Sequence, residues 1–321
     1  MKLGVFTVAL GDRSTEEAFK FLSSNGVQTV EIGCGGYPGR AHCNPEVLLS
    51  DSAKLAEFRE LLKKYNLEIS ALSVHSNHVH PQEKIREVAA NEFTLALRLA
   101  EKLGVDTVVT FSGCPGDHDG AKQPNWVTCA WPTEYGEILK YQWDEVLIPF
   151  WHKAVKEATE YGVNKIALEA HPGFCVYNPA TLLKLREATS PVIGINFDPS
   201  HFFWQGIDPV QAIMALKGAI YHFHAKDTNI NTVNTAINGV LDTGSLIGLE
   251  NRSWLFRTVG YGHDAIVWKN IITALRLTGY DGAISIEHED AFMSIEEGLR
   301  KGIEFLKDVL LFESSAEAWW A

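Results

Sequence analysis

The chain has 321 residues, of which 46% are apolar, and a formal net charge of −12. This length fits one large α/β barrel or two ordinary domains, with enough apolar residues for a sizeable core. The negative charge argues against nucleic acid or an anionic membrane as the main partner, because both attract basic surfaces. Five cysteines without a CxxC spacing are typical of a reduced, cytoplasmic protein rather than of a disulfide scaffold or zinc cluster.

The chain begins with MKLGVFTVALGDRS, a single lysine followed by a short apolar run. A signal peptide would need a longer apolar run and a small-residue cleavage site, so we expect this segment to form the first strand. No stretch approaches the roughly 20 apolar residues that a membrane span requires.

Strand-like and helical segments alternate along the whole chain. The strand-like runs are apolar and rich in β-branched residues, as is typical of strands buried on both faces, and they lie near 3–10, 29–34, 68–75, 107–113, 165–171, 192–198, 220–226 and 283–288. Helical periodicity predicts helices at Glu16–Ser24, Ala53–Tyr65, Glu83–Leu103, Trp143–Tyr161, Pro179–Ala188, Asp208–Lys217, Ile266–Leu277 and Ser294–Leu311.

This alternation, without a linker or a change in composition, predicts a single (β/α)8 TIM barrel over residues 1–321, with a C-terminal tail at 312–321. A doubly wound open sheet is the alternative, but no GxGxxG or Walker-type loop follows the first strand. Two connections are long, Cys114–Tyr141 after strand four and Thr228–Asp264 after strand seven. Both should overhang the face where barrels place their chemistry and shape a pocket there, unless they serve only as decoration or as subunit contacts.

Four strands in the second half of the chain end in a side chain that can bind a divalent metal. The runs KIALEAH, INFDPSH, HFHAKD and SIEHED contain Glu169, Asp198, His224 and Glu287 respectively. A carboxylate at the end of a buried strand is costly to desolvate unless something compensates its charge. The matching positions therefore predict one shared cation, with Mn²⁺ as the first expectation and Mg²⁺ or Co²⁺ as alternatives, since these ions prefer oxygen ligands. The competing interpretation is a set of separate salt bridges to nearby lysines and arginines.

Four further side chains are expected to contact a substrate beside this metal: His75, His171, His201 and Lys226. His171 and His201 follow the predicted ligands Glu169 and Asp198 closely enough to face the same pocket. Lys226 would meet a substrate hydroxyl or pair with its neighbour Asp227.

These motifs resemble the xylose-isomerase-like TIM barrels, which include sugar and sugar-phosphate isomerases and epimerases. The resemblance covers the whole architecture and rests on LEAHP, FDPSH, HAKD and IEHED at the ends of strands five to eight. It implies a metal held by the four ligands above, with Glu169 and Glu287 as paired catalytic bases and His201 as a substrate ligand. The implied reaction is proton transfer next to a metal-polarised carbonyl through an enediolate, on a small carbohydrate.

The chain also departs from the family pattern. Ketose 3-epimerases of the family usually carry an arginine six residues past the strand-seven histidine, where this chain has Ile230. Arg257 or Arg252 on the second long loop is a candidate replacement. The two insertions are similar to those of C-glycoside-cleaving and 3-keto-glycoside-processing catalytic subunits, which implies a lyase alternative with a small β-rich partner subunit. His118 would then be an added acid or base.

Two other functions are weighed against these. A metal-dependent apurinic-site nuclease would need a strand-four histidine and a basic surface, whereas this chain has TFSGC and a charge of −12. A non-catalytic sugar-binding barrel would bind sugar without exchanging its carbon-bound proton. The terminal pair Trp319 and Trp320 is expected to pack on a neighbouring subunit or back on the barrel, and the family resemblance implies a homo-oligomer.

Overall fold

The computed structural model describes residues 1–314, 318, 320 and 321. Eight parallel strands close into a barrel, which confirms the predicted (β/α)8 fold and excludes the open sheet. The barrel strands are β1 (Lys2–Phe6), β2 (Thr29–Gly33), β3 (Glu68–Ser73), β4 (Thr107–Phe111), β5 (Lys165–Glu169), β6 (Ile193–Phe197), β7 (Ile220–Ala225) and β10 (Ala283–Ile286). Each pairs with its neighbours along the chain, and β10 pairs with β1 to complete the ring.

Helices connect the strands and cover the barrel. They are α1 (Thr15–Ser24), α2 (Pro45–Ser50), α3 (Ser52–Lys64), α4 (Glu83–Leu103), α5 (Glu134–Lys140), α6 (Ile148–Glu160), α7 (Pro179–Ala188), α8 (Pro199–Gln205), α9 (Pro209–Ala215), α10 (Thr232–Asn238), α11 (Ala265–Leu277) and α12 (Ile295–Val309). Short 3₁₀ turns occupy Thr7–Leu10 and Leu249–Asn251, and a π-helical segment, Tyr141–Leu147, joins α5 to α6. Within the described residues, none of these helices is both long enough and apolar enough to span a bilayer.

The main core lies between the strands and the surrounding helices, where Trp151, Trp268 and Phe19 are completely buried. Local signals explain where the helices begin and end. Asn178 caps the start of α7 by accepting a hydrogen bond from the backbone N–H of Thr181. Gly104 ends α4 with a left-handed φ of 72°, a conformation that glycine adopts without steric cost.

The structure corrects two predicted boundaries and shows regular structure inside the second long connection. The first strand ends at Phe6 rather than near residue 10, because the chain turns into the 3₁₀ segment. The helix predicted to begin at Trp143 begins at Glu134 and continues through the π-helical segment. The second long connection contains regular structure: β8 (Asp227–Ile230) pairs antiparallel with β9 (Trp254–Arg257), and α10 lies between them.

The base of this antiparallel pair is held by the buried carboxylate of Asp227. Its Oδ2 accepts hydrogen bonds from the backbone N–H groups of Gly260, Gly262 and His263 at 3.0, 3.1 and 3.0 Å, and from the Trp268 indole at 3.1 Å. A Cβ atom at Gly262 would lie 2.3 Å from the carbonyl oxygen of Thr228, so only glycine fits there. The carboxylate thus ties the returning loop to the end of β7.

Candidate metal centre

The four predicted ligands come together at the C-terminal mouth of the barrel. Glu169 ends β5, Asp198 follows β6, His224 lies near the end of β7 and Glu287 follows β10. One ligand atom from each residue lies within 4.8 Å of the others, so a single ion can contact all four. The parallel strands bring these positions to the same end of the barrel.

Helix α8 fixes the orientation of Asp198. This residue is the N-cap of α8, and its Oδ1 accepts a hydrogen bond from the backbone N–H of Ser200 at 2.9 Å. Its Oδ2 is buried and accepts no well-formed hydrogen bond among the described residues, although Lys226 Nζ and His201 Nε2 lie 3.1 and 3.3 Å from it. A buried carboxylate oxygen whose hydrogen bonds are incomplete fits a metal ligand beside these ion-pair contacts.

The imidazole of His224 lies between two sets of carboxylates. Its Nε2 is 2.7 Å from Oε2 of Glu31, and its Nδ1 is 3.4 Å from Glu169 and 3.2 Å from Glu287. Burial alone would lower the pKa of His224, but Glu31 and Glu287 raise it well above its usual range. If Nε2 carries the ring proton, the Nδ1 lone pair faces two carboxylates, which is favourable only with a proton or a metal cation between them.

Glu169 is surrounded by imidazoles. His75 Nε2 is 3.0 Å from its Oε2, and His201 Nε2 is 3.1 Å from its Oε1. Burial alone would raise the pKa of Glu169, but hydrogen bonds from His201, His224 and His75 hold it well below its usual range. The carboxylate is therefore ionised and available to a cation.

Lys226 enters the same centre and supports part of the salt-bridge interpretation. Its Nζ lies 3.1 Å from Asp198, 2.6 Å from Glu287 and 3.0 Å from Glu289, and 4.6 Å from the centre of the Phe256 ring. Burial would raise the pKa of Glu287, but Lys226 and His224 lower it. The single ammonium of Lys226 carries less charge than the three carboxylates of Glu169, Asp198 and Glu287, and a protonated His224 or a divalent ion would supply the rest. Three carboxylates and an imidazole are donors that fit a divalent ion.

A solvent-open cavity of about 170 Å³ is lined by two of the four ligands, Glu169 and Glu287. This volume lies below the roughly 300–1,000 Å³ that is typical of sites for drug-sized ligands, so the cavity suits a smaller molecule. The cavity has polar groups on its floor and aromatic side chains on its walls, with a lining that includes Phe6, Tyr37, His75, Phe111, Glu169, His171, Lys226, Glu287 and Glu289. Carboxylates at the bottom of the cavity and aromatic rings at its sides suit a small polar ligand with hydroxyl groups.

His171 presents one ring nitrogen to this cavity. Its Nδ1 donates to the carbonyl oxygen of Pro172 at 2.6 Å, which leaves Nε2 as an acceptor. Burial lowers the pKa of His171 to about 3, so the ring is neutral. The His201 ring packs against it with ring centres 4.1 Å apart.

Four predicted contacts do not line the cavity, and one of them, His201, is buried against Glu169 instead. Arg257 donates from Nε to Asp290 at 3.0 Å and packs on Phe292. Arg252 is buried beside Asp242 in the second long loop. His118 is exposed and pairs with Asp117 at 2.7 Å.

Glu31, which is not among the predicted site residues, lies in β2 and is completely buried. Burial would raise the pKa of Glu31, but His224 and His222 hold it at about 2. The sequence carries a signal for it, because Glu31 is a carboxylate within the apolar run TVEIG. Unlike the other acids of the centre, it precedes the end of its strand.

The chain belongs to the family of xylose isomerase-like TIM barrels, whose sequence model matches residues 19–309. It is 39% identical over 312 residues to the uncharacterized protein YfiH of Bacillus subtilis, covering 97% of this chain and 99% of that protein. It is 26% identical over 279 residues to the rhizopine catabolism protein MocC of Rhizobium meliloti, covering 87% of this chain and 76% of that protein.

Solved structures share the fold at low sequence identity. The probable 3-DHS dehydratase AsbF of Bacillus anthracis has a TM-score of 0.67 at 18% identity, covering 96% of this chain and 99% of that chain. The IolI protein with a bound zinc atom has a TM-score of 0.66 at 19% identity, covering 98% and 100%. The 3-keto-D-glucoside 4-epimerase YcjR of E. coli has a TM-score of 0.64 at 13% identity, covering 96% and 99%.

Proposed function

We propose that the protein is a divalent-metal-dependent sugar isomerase or epimerase. The main support is the group of Glu169, Asp198, His224 and Glu287, of which the first three are buried, and whose ligand atoms lie within 4.8 Å of one another beside an open cavity. We propose Mn²⁺ as the ion, with Mg²⁺ or Co²⁺ as alternatives, because three of the four ligands offer carboxylate oxygens. A bound ion of this kind would polarise a substrate carbonyl and stabilise the negative charge that develops on its oxygen.

Glu169 and Glu287 are the proposed catalytic bases. They come from β5 and from the end of β10, which are separated in the barrel by β6 and β7. Both line the cavity, so they would approach a substrate from different sides. Epimerisation requires removal of a proton from one face and its return to the other, whereas isomerisation can use a single base.

Two neighbouring side chains are proposed to hold the substrate, and a third to hold a catalytic carboxylate. The ammonium of Lys226, already 2.6 Å from Glu287, would donate to a substrate oxygen next to the reacting carbon. His171 would accept from a hydroxyl through Nε2, because its Nδ1 is committed to Pro172. His75 lines the cavity while bound to Glu169, and it would hold that carboxylate in place.

Elimination is the second candidate, and one structural relative supports it by its name, a probable dehydratase. Another relative, a 3-keto-D-glucoside 4-epimerase, is named for a 3-keto-glycoside substrate but for epimerisation rather than elimination. The same pair of carboxylates could remove a proton next to the carbonyl of a 3-keto-glycoside, after which the bond to the aglycone breaks. This reaction would use the same ligands and bases.

Deuterated water separates these functions. Protein loaded with Mn²⁺ would be incubated in D₂O with a panel of ketoses and 3-keto-glycosides, and the products examined by NMR and mass spectrometry. Deuterium at the carbon beside the carbonyl supports isomerisation or epimerisation, and release of an aglycone supports elimination. Sugar binding with neither result would replace both candidates by a non-catalytic sugar-binding barrel.

A further inference from the structure

Glu31 lies below the proposed metal ligands, inside the barrel. It projects from β2 and reaches His224 on β7, so it bridges strands that are not paired with each other. Both residues are completely excluded from solvent. An ionised carboxylate in such a place needs compensating partners, since desolvation of an unpaired charge is costly.

Both oxygens of Glu31 have such partners. Oε2 lies 2.7 Å from Nε2 of His224 and accepts from the Ser285 hydroxyl at 3.0 Å. Oε1 accepts from the Ser73 hydroxyl. Ser285 and His224 are opposite each other in the β10–β7 register, so the barrel itself sets this spacing.

The His224 ring is also fixed from its face. The ring of Phe6 stacks on it with centres 5.5 Å apart and an interplanar angle of 26°. With Nε2 bound to Glu31 and one face covered, the remaining nitrogen, Nδ1, points towards Glu169 and Glu287. The ring cannot turn over without breaking the contact to Glu31.

We propose that Glu31 is a positioning residue for the metal centre: it accepts the Nε2–H of His224 and so leaves Nδ1 as the nitrogen that faces the ion. This inference rests on the proposed function, because it assumes a metal held by the four ligands. A histidine that binds a metal through one nitrogen commonly donates its other N–H to a carboxylate, which fixes the tautomer and increases the basicity of the ligand.

A separate metal ion bound by Glu31, His222 and His224 is a competing explanation, since their ligand atoms also lie within 4.8 Å of one another. The contacts of His222 argue against it. Its Nδ1 is 3.0 Å from the Asn196 amide oxygen, and its Nε2 is 3.2 Å from the Ser70 hydroxyl. Both nitrogens therefore have hydrogen-bond partners, and Nδ1 is 3.7 Å from Glu31.

Titration calorimetry with Mn²⁺ on the full chain tests the role of Glu31. Glu31→Gln keeps an acceptor oxygen and the side-chain shape but removes the charge, and we expect Mn²⁺ to bind roughly 10–100-fold more weakly. Glu92→Gln is the matched control. Glu92 is a mostly buried carboxylate that accepts from the Gly36 N–H at 2.9 Å and from Arg40 at 2.7 Å, but it does not contact the centre. The control should bind Mn²⁺ like the wild-type protein, and equal affinity in Glu31→Gln would overturn the inference.

A second measurement covers the case in which Glu31→Gln does not fold. Nitrogen-15 NMR of histidine-labelled, zinc-loaded wild-type protein would report the tautomer of His224, assigned from the signal that disappears in His224→Gln. A proton on Nε2 with the metal on Nδ1 supports the inference, and the opposite arrangement overturns it.

The two proposals can fail separately. Metal binding that depends on Glu31, without turnover of any sugar, would remove the isomerase function and leave the positioning role intact. Turnover of a sugar by both the wild-type protein and Glu31→Gln with equal metal affinity would remove only the positioning role. Wild-type protein that binds no divalent ion would overturn both.

Discussion

The two halves of the barrel contribute to the site in different ways. In the second half, β5, β6, β7 and β10 place acids and a histidine at or just past their C-terminal ends, where these side chains can face both an ion and the cavity. In the first half, Glu31 lies inside the barrel, and His75 contacts a ligand carboxylate from the side. The second half thus carries the proposed chemistry, while the first half holds those groups in place. This difference shows that burial of a polar residue does not by itself reveal its role.

The largest effect on turnover should come from substitution of the two proposed bases, which lie in the second half of the barrel. Glu169→Gln and Glu287→Gln should each reduce turnover roughly 10²–10⁴-fold, because general-base catalysis typically contributes that much. The folded structure should persist, since Gln has nearly the same shape. The measurement is the rate of deuterium incorporation into the identified substrate.

Glu289→Gln is the control for these two variants. Glu289 also contacts Lys226, at 3.0 Å, but it is half exposed and is not one of the four proposed ligands. It should retain most of the activity. A loss in Glu289→Gln as large as in Glu287→Gln would remove the special role of Glu287.

Replacement of Lys226 should show how much the stability of the second half depends on the balance of its buried charges. Lys226→Met leaves Asp198 and Glu287 without their shared ammonium, and removal of one partner from a buried ion pair typically costs about 3–5 kcal/mol. Urea unfolding of the metal-free protein should show that loss, and Mn²⁺ should restore more stability to the variant than to the wild-type protein. Lys2→Met, which removes an exposed pair with Glu68, should change stability very little. Equal losses in the two variants would contradict the charge argument.

Removal of the metal should lower the stability of the second half of the barrel more than that of the first half. Binding to the folded state alone stabilises a protein by about 2.7 kcal/mol when the free ligand is at one hundred times its dissociation constant. Thermal unfolding with Mn²⁺ and after chelation should show a difference of this order, and chelation should stop deuterium incorporation. Hydrogen exchange should locate the change at β5, β6, β7 and β10. A uniform change, or none, would argue against an ion at this position.

The smallest predicted effect concerns a histidine of the first half that has no part in the proposed chemistry. His78 is completely buried, lies 2.8 Å from the Thr110 hydroxyl and stacks on Phe150. Burial lowers its pKa from 6.5 to about 4. As the pH falls, His78 therefore takes up a proton in the unfolded chain at a higher pH than in the folded protein. The stability that the neutral ring contributes is complete above pH 6.5 and is lost as the pH falls towards 4.

Urea unfolding of wild-type protein and His78→Gln between pH 7.5 and pH 5 tests this expectation. The difference in unfolding free energy between them should decrease by about 2 kcal/mol over that interval, as follows from the two pKa values. His152→Gln, which changes an exposed histidine, should follow the wild-type protein at each pH. A constant difference between wild type and His78→Gln would show that His78 does not titrate in this way.

Much of the fold could be predicted from the sequence because barrel strands and helices carry strong local patterns. The bounds of α4 and α7 agree with the predicted Glu83–Leu103 and Pro179–Ala188. The interior of the second connection could not be predicted. Its strand β8, DTNI, is short and polar, and it forms because Asp227 and the distant strand β9 hold it. Such pairing depends on contacts between distant residues, which local periodicity does not contain.

The residues of the site likewise divide into those that could be predicted from the sequence and those that could not. Glu169, Asp198, His224 and Glu287 could be selected from sequence because parallel strands of a barrel all end at one face. Arg257 could not be placed, because its partner Asp290 follows a different strand. Trp319 lies outside the described residues, and Trp320 is largely exposed. The expected homo-oligomer, the β-rich partner subunit and the cytoplasmic location stay predictions.

The carboxylate of Asp227 has a mechanical consequence for the centre. Lys226 directly precedes it in the chain, and Asp227 is bound by three backbone N–H groups of the returning loop. The ammonium and the returning end of the loop are therefore held by adjacent residues of the chain. A substitution at Gly262 would disturb the backbone that binds Asp227, next to Lys226, without replacing a side chain of the centre.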